Sequence, residues 1–174
     1  MNFFTTIIFI TSLIFAYSIQ AAPPNLLTPA PVIYLADNLD EQDQLGWCID
    51  TKGRGFSDRL HAHSCKQRGG DVQFLFNKKN GLIKSATFKN KCLARLSSNL
   101  ETRFGLLDCD GSSDLQSFRY IQSTKEFRPK SEDTSCIVVG KSSRNAGPFM
   151  SRDLYLARCN SIDSKLKKWL IKEN

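Results

Sequence analysis

The chain's two histidines, His61 and His63, stand two residues apart and just ahead of Cys65. Imidazoles that alternate along a strand share one face and can hold a metal ion, and a thiol beside an imidazole can serve as a nucleophile with its base. Which chemistry survives depends on what the cysteines do. From Cys48 to Cys92 and from Cys92 to Cys136 the step is 44 residues, and Cys65 to Cys109 repeats it. Trp169 comes late against Phe74 and Phe118 because the third unit carries about six extra residues around Asn145-Ala146-Gly147-Pro148, which reads as a surface-loop insertion. This beat selects one pairing of the possible ones: Cys48–Cys65, Cys92–Cys109 and Cys136–Cys159. Each bridge would close a short loop worth about 3 kcal/mol of chain entropy. Separations of 17 or 23 residues lack the close Cys-x₂₋₄-Cys knuckle of a zinc site, so neither a metal nor another cofactor is expected. With Cys65 in a disulfide the nucleophile is lost. No Gly-x-Ser-x-Gly elbow, His-Glu-x-x-His or P-loop sequence is present, and the chain reads as a non-enzyme.

Residues 1–21 hold an apolar run (Phe3-Phe4, Ile7 to Ile10, Leu13 to Tyr17) that ends in Ser18-Ile19-Gln20-Ala21, the pattern of a cleaved signal peptide. No second membrane-spanning candidate follows. Paired cysteines in an exported chain fit an oxidising compartment, so the expected location is secreted, periplasmic or extracellular. Residues 22–46 begin with Pro23, Pro24, Pro29 and Pro31 and continue with Asp37, Asp40, Glu41 and Asp43, which reads as an extended linker. All 24 Lys and Arg lie from Trp47 onward. Taking the four linker acids from the total of 17 leaves 13 there, so residues 47–174 carry about +11 against +7 for the whole chain. That surplus favours adsorption to polyanions without specificity, and no dedicated nucleic-acid site is expected.

Residues 47–174 divide into units of about 47–90, 91–134 and 135–174. Each opens on a cysteine-bearing strand, Trp47-Cys48-Ile49-Asp50, Lys91-Cys92-Leu93-Ala94 or Ser135-Cys136-Ile137-Val138. A polar turn follows, including Lys141-Ser142-Ser143-Arg144 in the third unit, and a second strand leads to the partner cysteine. Each unit closes on an aromatic run at Phe74-Leu75-Phe76, Phe118-Arg119-Tyr120 or Trp169-Leu170-Ile171, whose alternation aims the large rings at a shared core. One such unit cannot bury its apolar face alone. Three around a pseudo-threefold axis give an all-β body in the single-domain size range.

The threefold run of cysteine strands closed by a Gln-x-aromatic resembles the ricin B-type lectin family of β-trefoil domains. Gln116-Ser117-Phe118 keeps that close with Phe for Trp, Lys167-Lys168-Trp169 keeps the Trp, and Val72-Gln73-Phe74 keeps the aromatic alone. The resemblance implies carbohydrate binding. The family grips sugar hydroxyls with an aspartate two positions after the first cysteine, stacks a ring two positions before the second, and adds an Asn-Gln pair before the closing aromatic. In the first unit those positions are Asp50, His63 and Asp71, with Val72 for the Gln. In the second they are Ala94 and Leu107, and in the third Val138 and Ala157, so one sugar site is expected at most. Arg54, Arg59, Lys66 and Arg68 nearby would suit an acidic sugar. The partners implied are a glycan or glycoconjugate; the alternative is a trefoil scaffold without sugar binding that joins a partner protein.

Overall fold

Wherever apolar and polar residues alternate between turn-forming stretches, the chain pairs into antiparallel strands. The structure, a computed structural model, describes residues 23–67 and 70–173. The expected signal peptide lies outside the described residues, as does Arg68. Twelve strands follow in order: β1 Val32–Leu35, β2 Trp47–Thr51, β3 Leu60–Ser64, β4 Phe74–Phe76, β5 Ile83–Ser85, β6 Lys91–Arg95, β7 Phe104–Asp108, β8 Phe118–Ile121, β9 Glu126–Pro129, β10 Ser135–Ala146, β11 Phe149–Arg158 and β12 Trp169–Lys172. Short 3₁₀ turns at Gly70–Val72, Cys159–Ser161 and Ser164–Leu166 are the helical elements among the described residues. The fold is all-β. Its sheets have the orders β10-β11-β3-β2-β1-β12, β4-β5-β6-β7 and β8-β9.

The repeat is carried by the pairing. Hairpins β2–β3, β6–β7 and β10–β11 each have one cysteine on the first strand and another just after the second. At matching register they oppose Ile49 to Ala62, Leu93 to Leu106 and Ile137 to Leu156, and all six side chains lie in one buried core. The closing aromatics Phe74, Phe118 and Trp169 begin β4, β8 and β12 and are fully buried in the same core. Neighbouring hairpins touch pairwise through Arg59↔Gly105, Arg103↔Tyr155 and Ser151↔His63. The first of these needs a glycine. A Cβ at Gly105 would stand 2.7 Å from the Asp58 carbonyl oxygen.

Two expectations are corrected here. Residues 22–46 are not an extended linker: β1 pairs with β12 through four residues, Val32↔Lys172 to Leu35↔Trp169, and with β2 at Tyr34↔Cys48. It stands to β12 as β5 stands to β4 and β9 to β8, so it completes the third unit beside β12. Its apolar run Val-Ile-Tyr-Leu outweighs the prolines and acids around it, and Val32, Ile33 and Leu35 are completely buried. The polar residues of this stretch have specific work. Asp43 accepts from Ser64 Oγ, and Asn38 holds the Gly46 amide with its side chain and the Trp47 indole with its carbonyl, 3.0 Å each. The extra residues of the third unit are not a surface loop either: they lengthen β10 and β11 into a hairpin arm, and Lys141 to Arg144 continue β10 across a register shift. Arg152 on β11 anchors the arm, donating to the carbonyls of Gly140 (3.2 Å) and Lys141 (2.5 Å), pairing with Glu41 and lying 4.5 Å from the Trp47 ring centroid.

Candidate functional site

β2 and β3 are paired so that Cys48 faces His63 and Asp50 faces His61, and the Cys48–Cys65 bridge fixes the end of β3. Lys66 follows immediately, and the turn Gly70–Val72 brings Asp71 back beside it. Two carboxylates, those of Asp50 and Asp71, therefore meet at one ammonium. Lys66 Nζ lies 2.9 Å from Asp50 Oδ2 and 3.5 Å from Asp71 Oδ2, and His63 Nδ1 lies 3.6 Å from the same Asp50 oxygen. The expected trio of Asp50, His63 and Asp71 is thus assembled, with Lys66 at its centre.

The cluster is more enclosed than a surface sugar site. Asp50 is fully buried, His63 and Asp71 are each 6% exposed, and the Lys66 side chain is the most open member at 13%. Burial pushes the Asp50 carboxyl up from 3.8 to about 6, with the nearby Lys66 holding it from rising further. Burial also lowers His63, so at neutral pH its ring is uncharged and its approach to Asp50 is not an ion pair. Its Nδ1 sits 3.1 Å from the Ser64 carbonyl, and its ring meets Phe149 of the hairpin arm edge to face at 5.7 Å. The second oxygens of the two acids, Asp50 Oδ1 and Asp71 Oδ1, are buried with no hydrogen-bond partner. Two buried acceptors without donors are the chemical singularity of the cluster.

At the equivalent places in the other units Ala94 and Val138 are buried apolar residues, and Leu107 is an exposed aliphatic. Gln116 is committed to its own repeat, accepting from the Asp110 amide (3.0 Å) and donating to the Asp108 carbonyl (2.8 Å). Sequence reasoning placed Lys66 in a basic surface cluster and did not assign it to Asp50 and Asp71. The available signal was its position next to a bridged cysteine and between two acids of the same unit. Phe149 was hidden in the supposed loop.

The disulfides Cys48–Cys65 and Cys92–Cys109 are formed. The expected Cys136–Cys159 bridge is not: both are buried free thiols. The longer β10–β11 hairpin delivers Cys159 into a 3₁₀ turn whose Cys159 carbonyl is clasped by Lys167 Nζ at 2.5 Å, and the two sulfurs lie within 4.8 Å of each other without a bond. Burial raises both thiols and keeps them protonated. With Glu126 they form a group of ligand-type atoms within 4.8 Å of one another. It fits a metal poorly, because Glu126 Oε1 is held by Lys167 at 3.2 Å and Oε2 by Arg128, so two cations stand where a third would bind. No helix among the described residues is long and apolar enough to cross a membrane.

No family model matches the chain, and no curated protein matches it.

Proposed function

We propose that this chain is an exported, non-catalytic carbohydrate-binding module of β-trefoil arrangement, with its one saccharide position at the Asp50–Lys66–Asp71 cluster. The reading is supported by the three-unit pairing, in which every unit has a hairpin, a closing aromatic strand and a fourth strand, and by two disulfides suited to an oxidising extracellular space. The observation that carries it is the pair of unpartnered buried oxygens on Asp50 and Asp71. A buried acceptor without a donor costs about 1–3 kcal/mol, and ligand hydroxyls are the donors that recover it. Lys66, the most open member, is the gate: it swings aside or moves onto an acidic sugar as hydroxyls reach the carboxylates. Asp50, which is sealed, first acts by holding Lys66.

The test is a glycan array followed by calorimetry on the glycans retained, using the wild type and Asp71→Asn. Asp71→Asn is expected to weaken binding at least about tenfold, one charge-assisted hydrogen bond being worth about 1.5–3 kcal/mol. An empty array, or unchanged affinity in the variant, removes the lectin reading. The enclosure of Asp50, His63 and Asp71 favours a second reading, a trefoil scaffold that joins a partner protein and in which the cluster is purely structural. In that case Asp71→Asn alters the unfolding midpoint and nothing else.

A further inference from the structure

Far from the sealed cluster in chemistry, the three cysteine-bearing hairpins meet at a basic groove. Two adjoining depressions of about 440 and about 250 Å³ share Arg103, Arg144 and Asp153. Asp153 receives both guanidinium groups, Arg103 Nη1 at 3.0 Å on one oxygen and Arg144 Nη2 at 2.9 Å on the other. Lys52, Arg59 and Lys141 also line it, are exposed, and have no carboxylate partner among the described residues. Five cations against Asp153 and Glu101 leave a surplus of three positive charges in one concavity.

Two features make it more than a solvated basic face. The arginines are held in place by a shared carboxylate, and a fixed planar guanidinium is preorganised for two-point contact with a sulfate or carboxylate group. The floor is His61, 7% exposed, whose Nε2 is buried with no hydrogen-bond partner. Burial, with the nearby Arg144 and Lys66 charges acting in the same direction, pushes this imidazole down to about 4, so it is neutral and adds no charge of its own. On the wall, Tyr155 is half-buried with the Arg103 guanidinium 5.7 Å from its ring centroid. One aromatic face suits one sugar ring. Single-stranded nucleic acid is gripped by successive aromatic platforms, and Tyr155 is the one aromatic side chain along this basic lining that is not buried.

We propose that this groove binds a sulfated oligosaccharide, with Arg103 and Arg144 on the sulfate groups, Lys52, Arg59 and Lys141 setting the surrounding positive field, His61 meeting a hydroxyl and Tyr155 covering a sugar face. The groove shares no lining residue with Asp50, His63, Lys66 or Asp71, and His61, whose ring lies 5.4 Å from that of His63, is where the two sites adjoin.

The experiment is calorimetry on the full chain with a heparin-derived tetrasaccharide of defined sulfation. Its desulfated counterpart, a single-stranded oligonucleotide of equal charge and phosphatidylserine vesicles serve as the other probes. The sulfated tetrasaccharide is expected to bind and the desulfated one not. Arg103→Gln with Arg144→Gln should weaken binding at least about tenfold. Lys141→Gln, which breaks no ion pair, should weaken it about threefold. Lys79→Gln with Lys89→Gln, removing the same charge from exposed positions outside the groove, should change it less than twofold, and Asp71→Asn should leave it intact. No binding of the tetrasaccharide overturns the proposal. Equal weakening by the two charge-matched double variants overturns it in favour of unspecific attraction. Equal affinity for the oligonucleotide or the vesicles, with the same dependence on Arg103 and Arg144, reassigns the groove to that class.

Discussion

Replacing Lys66 by Met removes the counter-charge of two buried acids while keeping the bulk of its stem. Lys66 Nζ stands 2.9 Å from Asp50 Oδ2 and 3.5 Å from Asp71 Oδ2, and breaking a buried pair by deleting one partner typically costs about 3–5 kcal/mol. That cost depends on pH in a definite sense. The Asp50 carboxyl is raised from 3.8 to about 6 on folding, so between those values the folded chain keeps a proton that the unfolded chain has released. Its contribution to stability is therefore full below pH 4 and falls as pH rises through 6, by about 3 kcal/mol at one pKa unit per 1.36 kcal/mol. Because Lys66 opposes that rise, Lys66→Met pushes the carboxyl higher and extends the fall to more alkaline pH. The variant is expected to lose about 3–5 kcal/mol at pH 8 and about 1–2 kcal/mol at pH 5, where Asp50 is neutral. Urea unfolding in non-reducing buffer measures it, with the buried Trp47 and Trp169 as fluorescent reporters. Adding Asp50→Asn should recover part of the loss at pH 8. An equal loss at both pH values, or a double variant no better than Lys66→Met alone, would refute a buried, ionised Asp50 as the partner.

Ile33→Ala distinguishes a strand from a linker: the structure predicts a loss of about 2–5 kcal/mol in the same unfolding assay, whereas a change at an exposed linker position would stay within about 0.5 kcal/mol. A thiol reagent should find no accessible cysteine in the native protein and two per chain in urea without reductant, corresponding to Cys136 and Cys159. A count of zero in urea would mean that those two are bridged.

The three hairpins were legible because their signal is covalent and periodic. Cysteines at a 44-residue step mark the strand pairs, and the aromatics Phe74 and Phe118 keep the same interval in the core. β1 was not, because its four apolar residues sit between a proline-rich stretch and an acidic one, and composition over a 25-residue window hides a short strand paired to the far end of the chain. The beat also overreached at Cys136 and Cys159, where spacing alone does not register the 3₁₀ turn and the Lys167 clasp that set the second cysteine. At the candidate site the sequence brought forward Asp50, His63 and Asp71, and the structure gathers all three. What it could not reveal was closure. Whether Lys66 points to solvent or inward is decided by the turn at Gly70–Val72 and the hairpin arm bearing Phe149, both tertiary facts.

The pairing of β1 with β12 fixes an order of assembly. Val32 and Lys172 are partners 140 positions apart, so during synthesis Ile33 and Leu35 have no edge to join on the β12 side until residues 169–172 have emerged. The sheet β4-β5-β6-β7, by contrast, is drawn from the continuous stretch 74–108 and holds most of its contacts locally. The middle of the chain is therefore the part that can take shape first, while the opening strand waits as an exposed apolar segment for the closing one. Charges at Asp37, Asp40, Glu41 and Asp43 beside that waiting strand are well placed to keep it from pairing with another copy in the interval.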